Sequence, residues 1–520
     1  MMLLQPIHST HYQTYYRQQL PRRLHRLLHF IQDNKTNPDV LHSHFQSMMA
    51  LLDRALQMPG CQSLFADLVF ALHPWPVRWG WMDEWIRVLE SAADLSRSLN
   101  RSRQQVDLSL YQAELLLEAG QLDKALTYGK QALALAQQFA YALPMAKAGW
   151  VLYRVLTSLG RSEEADKMAS SVKAGIPADV PIAESKETAV WITLIDTRAL
   201  QRRGRHREGR DHLQPLIAQL EADDLIAGYK ATAFAVYAIL LWNMNWYEQA
   251  AHYMVQAISV YRQLGDDMKV VICQSDLNMI YFMMGKHELA VANIQAAIAH
   301  AEEKRFYYQL SEHIGSLAGL YMTQGKLDDA QFYWQRHTQL TRFTGNKQEH
   351  IRSIINRGGV LLLMGEYEIG LADVEIGIPY YQSQNAQEML TLCRLSKCYA
   401  YWGLGRTAEG KILAEDIYTE ATTRLTGIPH LELFARRCLA LFYSPAEAIV
   451  FLQGALALAR KHKFRMQEAA CLLSMAGLVV DSTAREIYWT QGCCLLEDLD
   501  AADWLNGHTS QNPPFVGMIH

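Results

Sequence analysis

The chain has 520 residues, half of them hydrophobic and 20% charged, with a net charge of −4. That composition supplies ample apolar material for a core and excludes a disordered chain. The near-neutral balance argues against a nucleic-acid partner, which needs a basic footprint. No apolar run approaches the ~18 residues that span a membrane, and the opening MMLLQPIHSTHYQ lacks the basic-then-apolar order of a secretory signal. Eight scattered cysteines form no CxxC pair. They fit reduced packing thiols in a cytoplasm, adjacent Cys493 and Cys494 included.

Residues 1–60 predict two N-terminal capping helices. Leu20, Leu24, Leu27, Leu28 and Ile31 share one helical face, and Arg17, Arg22, Arg23 and Arg26 decorate it. NKTNPD (34–39) breaks that helix. A second apolar stripe follows at Leu41, Phe45, Met48, Leu52 and Leu56. Residues 61–425 read as a repeat array. It opens on Trp75, Trp79, Trp81 and Trp85, with Pro74 and Pro76 ending the helix before them. Tryptophan is usually mostly buried, so these four predict core at the junction of cap and repeats.

From here a register runs. Turn residues fall at Gly80, Gly120, Gly160, Gly204, Asn245, Gly285, Gly325, Gly365 and Gly405, at intervals of 40, 40, 44, 41, 40, 40, 40 and 40. Gly suits the left-handed backbone that ends a helix, and Asn is its usual substitute. Five residues after each turn stand Trp85, Ala125, Ala165, Gly209, Ala250, Ala290, Ala330, Gly370 and Gly410. Twelve after, Ala or Gly recurs at Ala92, Ala132, Ala257, Ala297 and Gly377. Small residues seven apart lie on one helical face and allow a partner helix close. Four before the turn, Leu or Tyr recurs from Leu116 to Tyr401. A fixed period with a helix–turn–helix in each unit indicates stacked hairpins.

After residue 425 the register loosens. Gly427 and Pro429 break the chain, a helix is expected over 431–442, and Ser444-Pro445 replaces the Gly turn. AEAIVFLQGALALARKHK reads as a second helix, and 466–480 and 484–505 as a last, atypical pair. Residues 426–506 are therefore degenerate repeats and cap, and 507–520 a flexible tail.

The turn Gly, the small residues five and twelve on, and the Tyr or Leu four before resemble the tetratricopeptide repeat, here stretched to about 40 residues per unit. The resemblance covers about residues 75–425 well and 430–500 weakly. It implies an all-α, right-handed superhelical solenoid of about ten hairpins that holds a partner on its concave face. FALHPWPVRWGWMDEWIRVLESAADLSRSL (70–99) is also similar to the opening of the repeat tails of bacterial STAND-type regulators. That likeness implies shared ancestry more than shared activity.

No catalytic, cofactor or metal site stands out. GRTAEGK (405–411) imitates a phosphate loop, but Ile412 follows where Ser or Thr is needed, and both glycines serve the repeat. His42 and His44 diverge by about 200° on a helix. There is no HExxH and no GxSxG. The expected function is a non-enzymatic scaffold that binds a protein or peptide, as an adaptor or regulatory subunit, without cofactor or membrane. The alternative is a peptide- or ligand-gated sensor.

In the family resembled, positions six before the turn face the groove. Here they are Glu114, Arg154, Arg198, Ile239, Met279, Gly319, Gly359 and Tyr399. Arg154 and Arg198 occupy equivalent places in adjacent hairpins, so about 10 Å is expected between them. With Arg202, one turn beyond Arg198, they predict a basic ridge suited to an acidic peptide or a carboxylate. Arg352 and Asn356, i and i+4 on one first helix, are expected to hold a carboxylate and an extended backbone. Gly319 and Gly359 leave room opposite them.

Overall fold

The computed structural model describes residues 9–34, 37–73, 75–79, 81–223, 226–344 and 347–510, without the side chains of 9–17, 38, 39, 78, 83 and 183. Pro74, the turn at Gly80 and the tail from 511 lie outside them. Among the described residues every regular element is helical. First come α1 (Ser9–Asp33), α2 (Pro38–Gln57), α3 (Gln62–Leu72), α4 (Trp75–Arg78) and α5 (Met82–Ser98). First and second helices then alternate: α6 (Ser102–Glu118), α7 (Leu122–Gln138), α8 (Ala142–Ser158), α9 (Ser162–Gly175), α10 (Ile182–Arg202), α11 (His206–Glu221), α12 (Gly228–Asn243), α13 (Tyr247–Gln263), α14 (Asp267–Met283) and α15 (His287–Glu303). The same alternation continues through α16 (Tyr307–Gln324), α17 (Leu327–Thr344), α18 (Lys347–Leu363), α19 (Tyr367–Ser383), α20 (Gln387–Gly403) and α21 (Thr407–Thr423). It ends with α22 (Pro429–Ala440), α23 (Pro445–His462), α24 (Arg465–Leu478) and α25 (Ser482–Asp498).

The register is visible in the backbone. Gly120, Gly160, Gly204, Gly285, Gly325, Gly365 and Gly405 all have φ between +69° and +88°, and Asn245 has +61°. At Gly120 the turn is closed by Gly120 N–H donating to the Leu117 carbonyl (3.0 Å) and Gln121 N–H to Leu116 (2.8 Å). This is the paired closure that satisfies the last carbonyls of a helix. A second turn series, between hairpins, has the same backbone at Asn100, Ala140, Gly265, Arg305 and Asn385. The sequence hides it, because mixed residue types occupy those positions.

The small residues form the packing seam. Ala125, Ala132, Ala165, Ala250, Ala257, Ala297 and Ala330 are fully buried. A Cβ added at Gly370 would lie 2.8 Å from the Gly358 carbonyl oxygen. His337 stands at the twelfth position, where Ala is the rule, and is 1% exposed. Gly315 on α16 makes the space: a Cβ there would lie 3.2 Å from the His337 ring. Trp85 is fully buried, and Trp75, Trp79 and Trp81 pack partly buried beside it. Cys494 is exposed, unlike the six buried thiols, because neighbours on a helix point about 100° apart.

The chain divides into two compact units, residues 1–284 with 299–308, and 285–298 with 309–520. In the first, α14 returns against α4, and Lys269 on α14 pairs with Glu118 on α6. Asp267 receives His300 (3.5 Å) and Lys304 (3.0 Å). In the second, the end of the described chain returns to α16. Trp504 Nε1 donates to the Thr323 carbonyl at 3.0 Å, and Gln324 donates to Asp500 at 2.8 Å. The expected helix over 484–505 stops at Asp498. Asp500, at φ +53°, then turns the chain so that Trp504 reaches Gly325.

Candidate functional site

In the first unit, the inner wall is built mostly from first helices, with Tyr261 of α13 and Val77 of α4 beside them. Positions four apart on a helix stack on one face, so Trp150 with Arg154 on α8, and Glu114 with Glu118 on α6, look into one cavity of about 200 Å³. Trp191 and Arg198 from α10, Ile239 from α12, and Lys269, Cys273 and Asp276 from α14 also line it. The Trp150 and Trp191 rings, 5.9 Å apart, form an aromatic wall. Arg154 Nη1 lies 2.9 Å from Glu118 Oε1, the oxygen that Lys269 also reaches. Burial alone would raise the Glu118 carboxyl, but Arg154 and Lys269 outweigh it and hold it at about 2. Asp276 is pushed up to about 6 by burial, with Arg198 and Arg154 opposing. Burial also raises Glu114.

Arg154, Arg198 and Arg202 come together around a second cavity of about 440 Å³, towards the hairpin turns. Arg198 Nη1 donates to Gln201 Oε1 at 3.0 Å. Burial lowers its pKa, Asp276 opposes that, and Arg154 acts with burial. Arg202 is held on two sides: Nε donates to the Tyr153 hydroxyl at 3.3 Å, and Nη2 pairs with Asp166. Asp166 also receives Arg203 at 3.0 Å.

Arg352 and Asn356 belong to the other unit, on α18. Arg352 is bound by Glu349, one turn earlier on its own helix, at 2.6 and 3.1 Å. Asn356 is half-buried beyond it. A Cβ at Gly319 would meet open space, whereas Gly359 is buried.

Trp150, Glu118, Lys269 and Asp276 belong to this wall, and the repeat register does not point to them. Counting six back from each turn selects one residue per helix, while a wall uses the whole stripe. Stepping four residues from Glu114 and Arg154 finds Glu118 and Trp150. Lys269 and Asp276 carry no signal in the sequence, because only the return of α14 brings them opposite α6 and α10.

Among the described residues no group of three or more His, Cys, Asp or Glu side chains is arranged to hold a metal. In GRTAEGK, Gly405 is a repeat turn, and a Cβ at Gly410 would lie 2.4 Å from the Phe442 ring. Both glycines serve the packing. No described helix is long and apolar enough to cross a membrane.

No protein-family model matches the chain, and no curated protein does. Among solved structures, the apo form of RapI is similar at 11% identity over 70% of this chain and 97% of its own, with a TM-score of 0.53. A Rap protein complexed with Competence and Sporulation Factor is similar at 13% identity over 75% and 99%, with a TM-score of 0.44. The STAND protein with a tetratricopeptide repeat sensor from Pyrococcus horikoshii is similar at 12% identity over 66% of this chain, with a TM-score of 0.49. This chain spans about half of that protein's length, 51%. The likeness to RapI extends to the fold, so the chain is an all-α helical-repeat protein, with hairpins of the tetratricopeptide type in its own register.

Proposed function

We propose that the chain is a non-enzymatic regulatory scaffold of the cytoplasm whose first unit holds a peptide segment of a partner against the inner wall of α6, α8, α10, α12 and α14. The observation that carries this is the wall itself. Half-buried guanidinium groups at Arg154 and Arg198 stand beside the apolar faces of Trp150 and Trp191 in one concave space, with Glu114, Glu118, Lys269 and Asp276 around them. Convergent polar groups set among aromatic faces are the general build of a ligand site. Arginine forks hold carboxylates and backbone carbonyls, and aromatic faces hold side chains. The eight free cysteines support a reducing compartment.

A partner captured from a lysate and identified by mass spectrometry supplies the ligand for the test. Arg154→Glu/Arg198→Glu is expected to weaken its binding by at least about tenfold, the equivalent of one charge-assisted contact. Arg352→Ala/Asn356→Ala is expected to leave it unchanged. The reverse outcome moves the site to α18, and no change in either moves it off both walls.

The alternative, a ligand-gated sensor, has an observation of its own. Glu118 is shared by Arg154, which faces the cavity, and Lys269, which ties α14 to α6. An anion that takes Arg154 changes the charge balance of that tie. Solution scattering with and without the bound peptide tests this, since a sensor changes its dimensions and a passive scaffold does not.

A further inference from the structure

The cavity at the turn ends of α8 and α10 differs in kind from its neighbour. Arg154, Arg198, Arg202, His206, Ser158 and Asn243 line it, and among the described residues no carboxylate does. The carboxylates just outside are each shared by two cations. Glu118 answers Arg154 and Lys269, and Asp166 answers Arg202 and Arg203. Arg198 makes no ion pair within 4.0 Å among the described residues; Asp276 and the Arg154 guanidinium are the charges that act on it from a distance. His206 Nδ1 is buried and makes no hydrogen bond. At the rim, Ser158 and Asn243 are exposed.

Arg154, Lys269, Arg198, Arg202 and Arg203 stand against Glu118, Asp166 and Asp276, an excess of about two positive charges, which matches the −1.5 to −2 of a phosphate monoester at neutral pH better than a single carboxylate does. The donors also approach from α8, α10, α11 and α12, which suits a tetrahedral group better than a planar one. We propose that this cavity is an anion site for a phosphoryl monoester. The group is either carried on a phosphorylated side chain or belongs to a free small molecule. The inference rests on the scaffold reading only for the first of these sources.

The test is calorimetric titration of the full chain at constant ionic strength with phenyl phosphate, benzoate, and the tripeptides Ala-Ser-Ala and Ala-phosphoSer-Ala. Phenyl phosphate is expected to saturate and to bind at least about tenfold more tightly than benzoate, the value of one further charge-assisted contact. Arg198→Gln removes that binding. Asn243→Asp, at an exposed rim position that leaves the fold alone, weakens it about tenfold by placing a carboxylate in the site. Arg262→Gln, on the exposed face of α13, does not change it. A phosphotripeptide that binds more tightly than phenyl phosphate assigns the site to phosphorylated partners, and equal or weaker binding assigns it to small phosphomonoesters. Absence of saturation by phenyl phosphate, or indifference to Asn243→Asp, overturns the proposal. A captured peptide that still binds in either case leaves the scaffold reading standing.

Discussion

The two units close on themselves by different chemistry. The first is tied by charge, with Lys269 and Arg154 sharing Glu118, and His300 and Lys304 sharing Asp267. The second is tied by an aromatic plug. Trp504 sits so close to the turn at Gly325 that an added Cβ would lie 2.7 Å from its backbone nitrogen. Their ion pairs differ in the same sense. In the second unit Arg357 meets Asp373 one to one, with two bonds of 2.7 Å, and Arg394 has both Asp416 and Glu420. Beside its cavities the first unit instead gives one carboxylate to two cations, at Glu118 and at Asp166, although elsewhere in it Arg103 has both Asp107 and Glu184. A repeat can therefore hold its shape by neutralised charge and buried rings, or keep cations in excess where they face a cavity. The second choice leaves a place for an anionic partner.

The plug contributes more stability than the charge tie. Trp504→Ala is expected to cost the second unit roughly 3–5 kcal/mol, read as faster hydrogen exchange in α16, α17 and α25. The first unit should be untouched, and equal loosening of both units would undo the comparison. Gly325→Ala acts on the same contact by pushing Trp504 out.

Acid should separate the units by sign. His337 has both ring nitrogens without a hydrogen bond, and Nε2 lies 3.5 Å from Glu349 Oε1. Burial first, then Arg352 and His350, hold its pKa down to about 4, against the ordinary 6.5. The stability from keeping it neutral is full above 6.5 and is lost as pH falls through 4, a span of about 3 kcal/mol at most. Asp276 behaves oppositely. Its pKa of about 6 lies above the ordinary 3.8, so its contribution is full below 3.8 and is lost as pH rises through 6, by a similar amount. Between pH 4 and 6, acidification should weaken α17 and strengthen α14, read by exchange corrected for the intrinsic rate. His337→Leu should flatten the first slope and Asp276→Asn the second.

A smaller effect tests the charge tie. Glu118→Gln leaves Arg154 and Lys269 without their shared anion. Glu118 is 9% exposed, but the two cations are 30% and 29% exposed and keep part of their hydration. The expected cost is about 1–3 kcal/mol. Raising the salt concentration should lower the stability of the wild-type first unit by more than that of the variant, which keeps the other ion pairs but lacks this one.

The smallest effects isolate the backbone. Gly160→Ala meets nothing within 4 Å, but φ is +72°, so about 1–2 kcal/mol is expected from conformation alone. Ala140, at φ +54°, already carries that strain, and Ala140→Gly should return about 1 kcal/mol of it. Thermal melts of the two variants should move in opposite directions.

The 40-residue period, the turns within the hairpins and the small-residue seam were legible in the sequence, because each depends on local backbone geometry, whereas the turns between hairpins, at residues as mixed as Ala140 and Arg305, were not. Gly or Asn ends a helix at positive φ with the least strain, and Ala or Gly lets two helices approach along a seam. The row of Arg154 and Arg198 was legible for the same reason, since position within a hairpin decides which way a side chain points. What those arginines face was not. Glu118 and Lys269 are 151 residues apart, and Gly325 and Trp504 stand further apart still along the chain. Each meeting depends on small rotations between successive hairpins, added over several repeats. No single repeat encodes that sum, so the charge balance of the cavities and the closing of each unit were decided by tertiary structure alone.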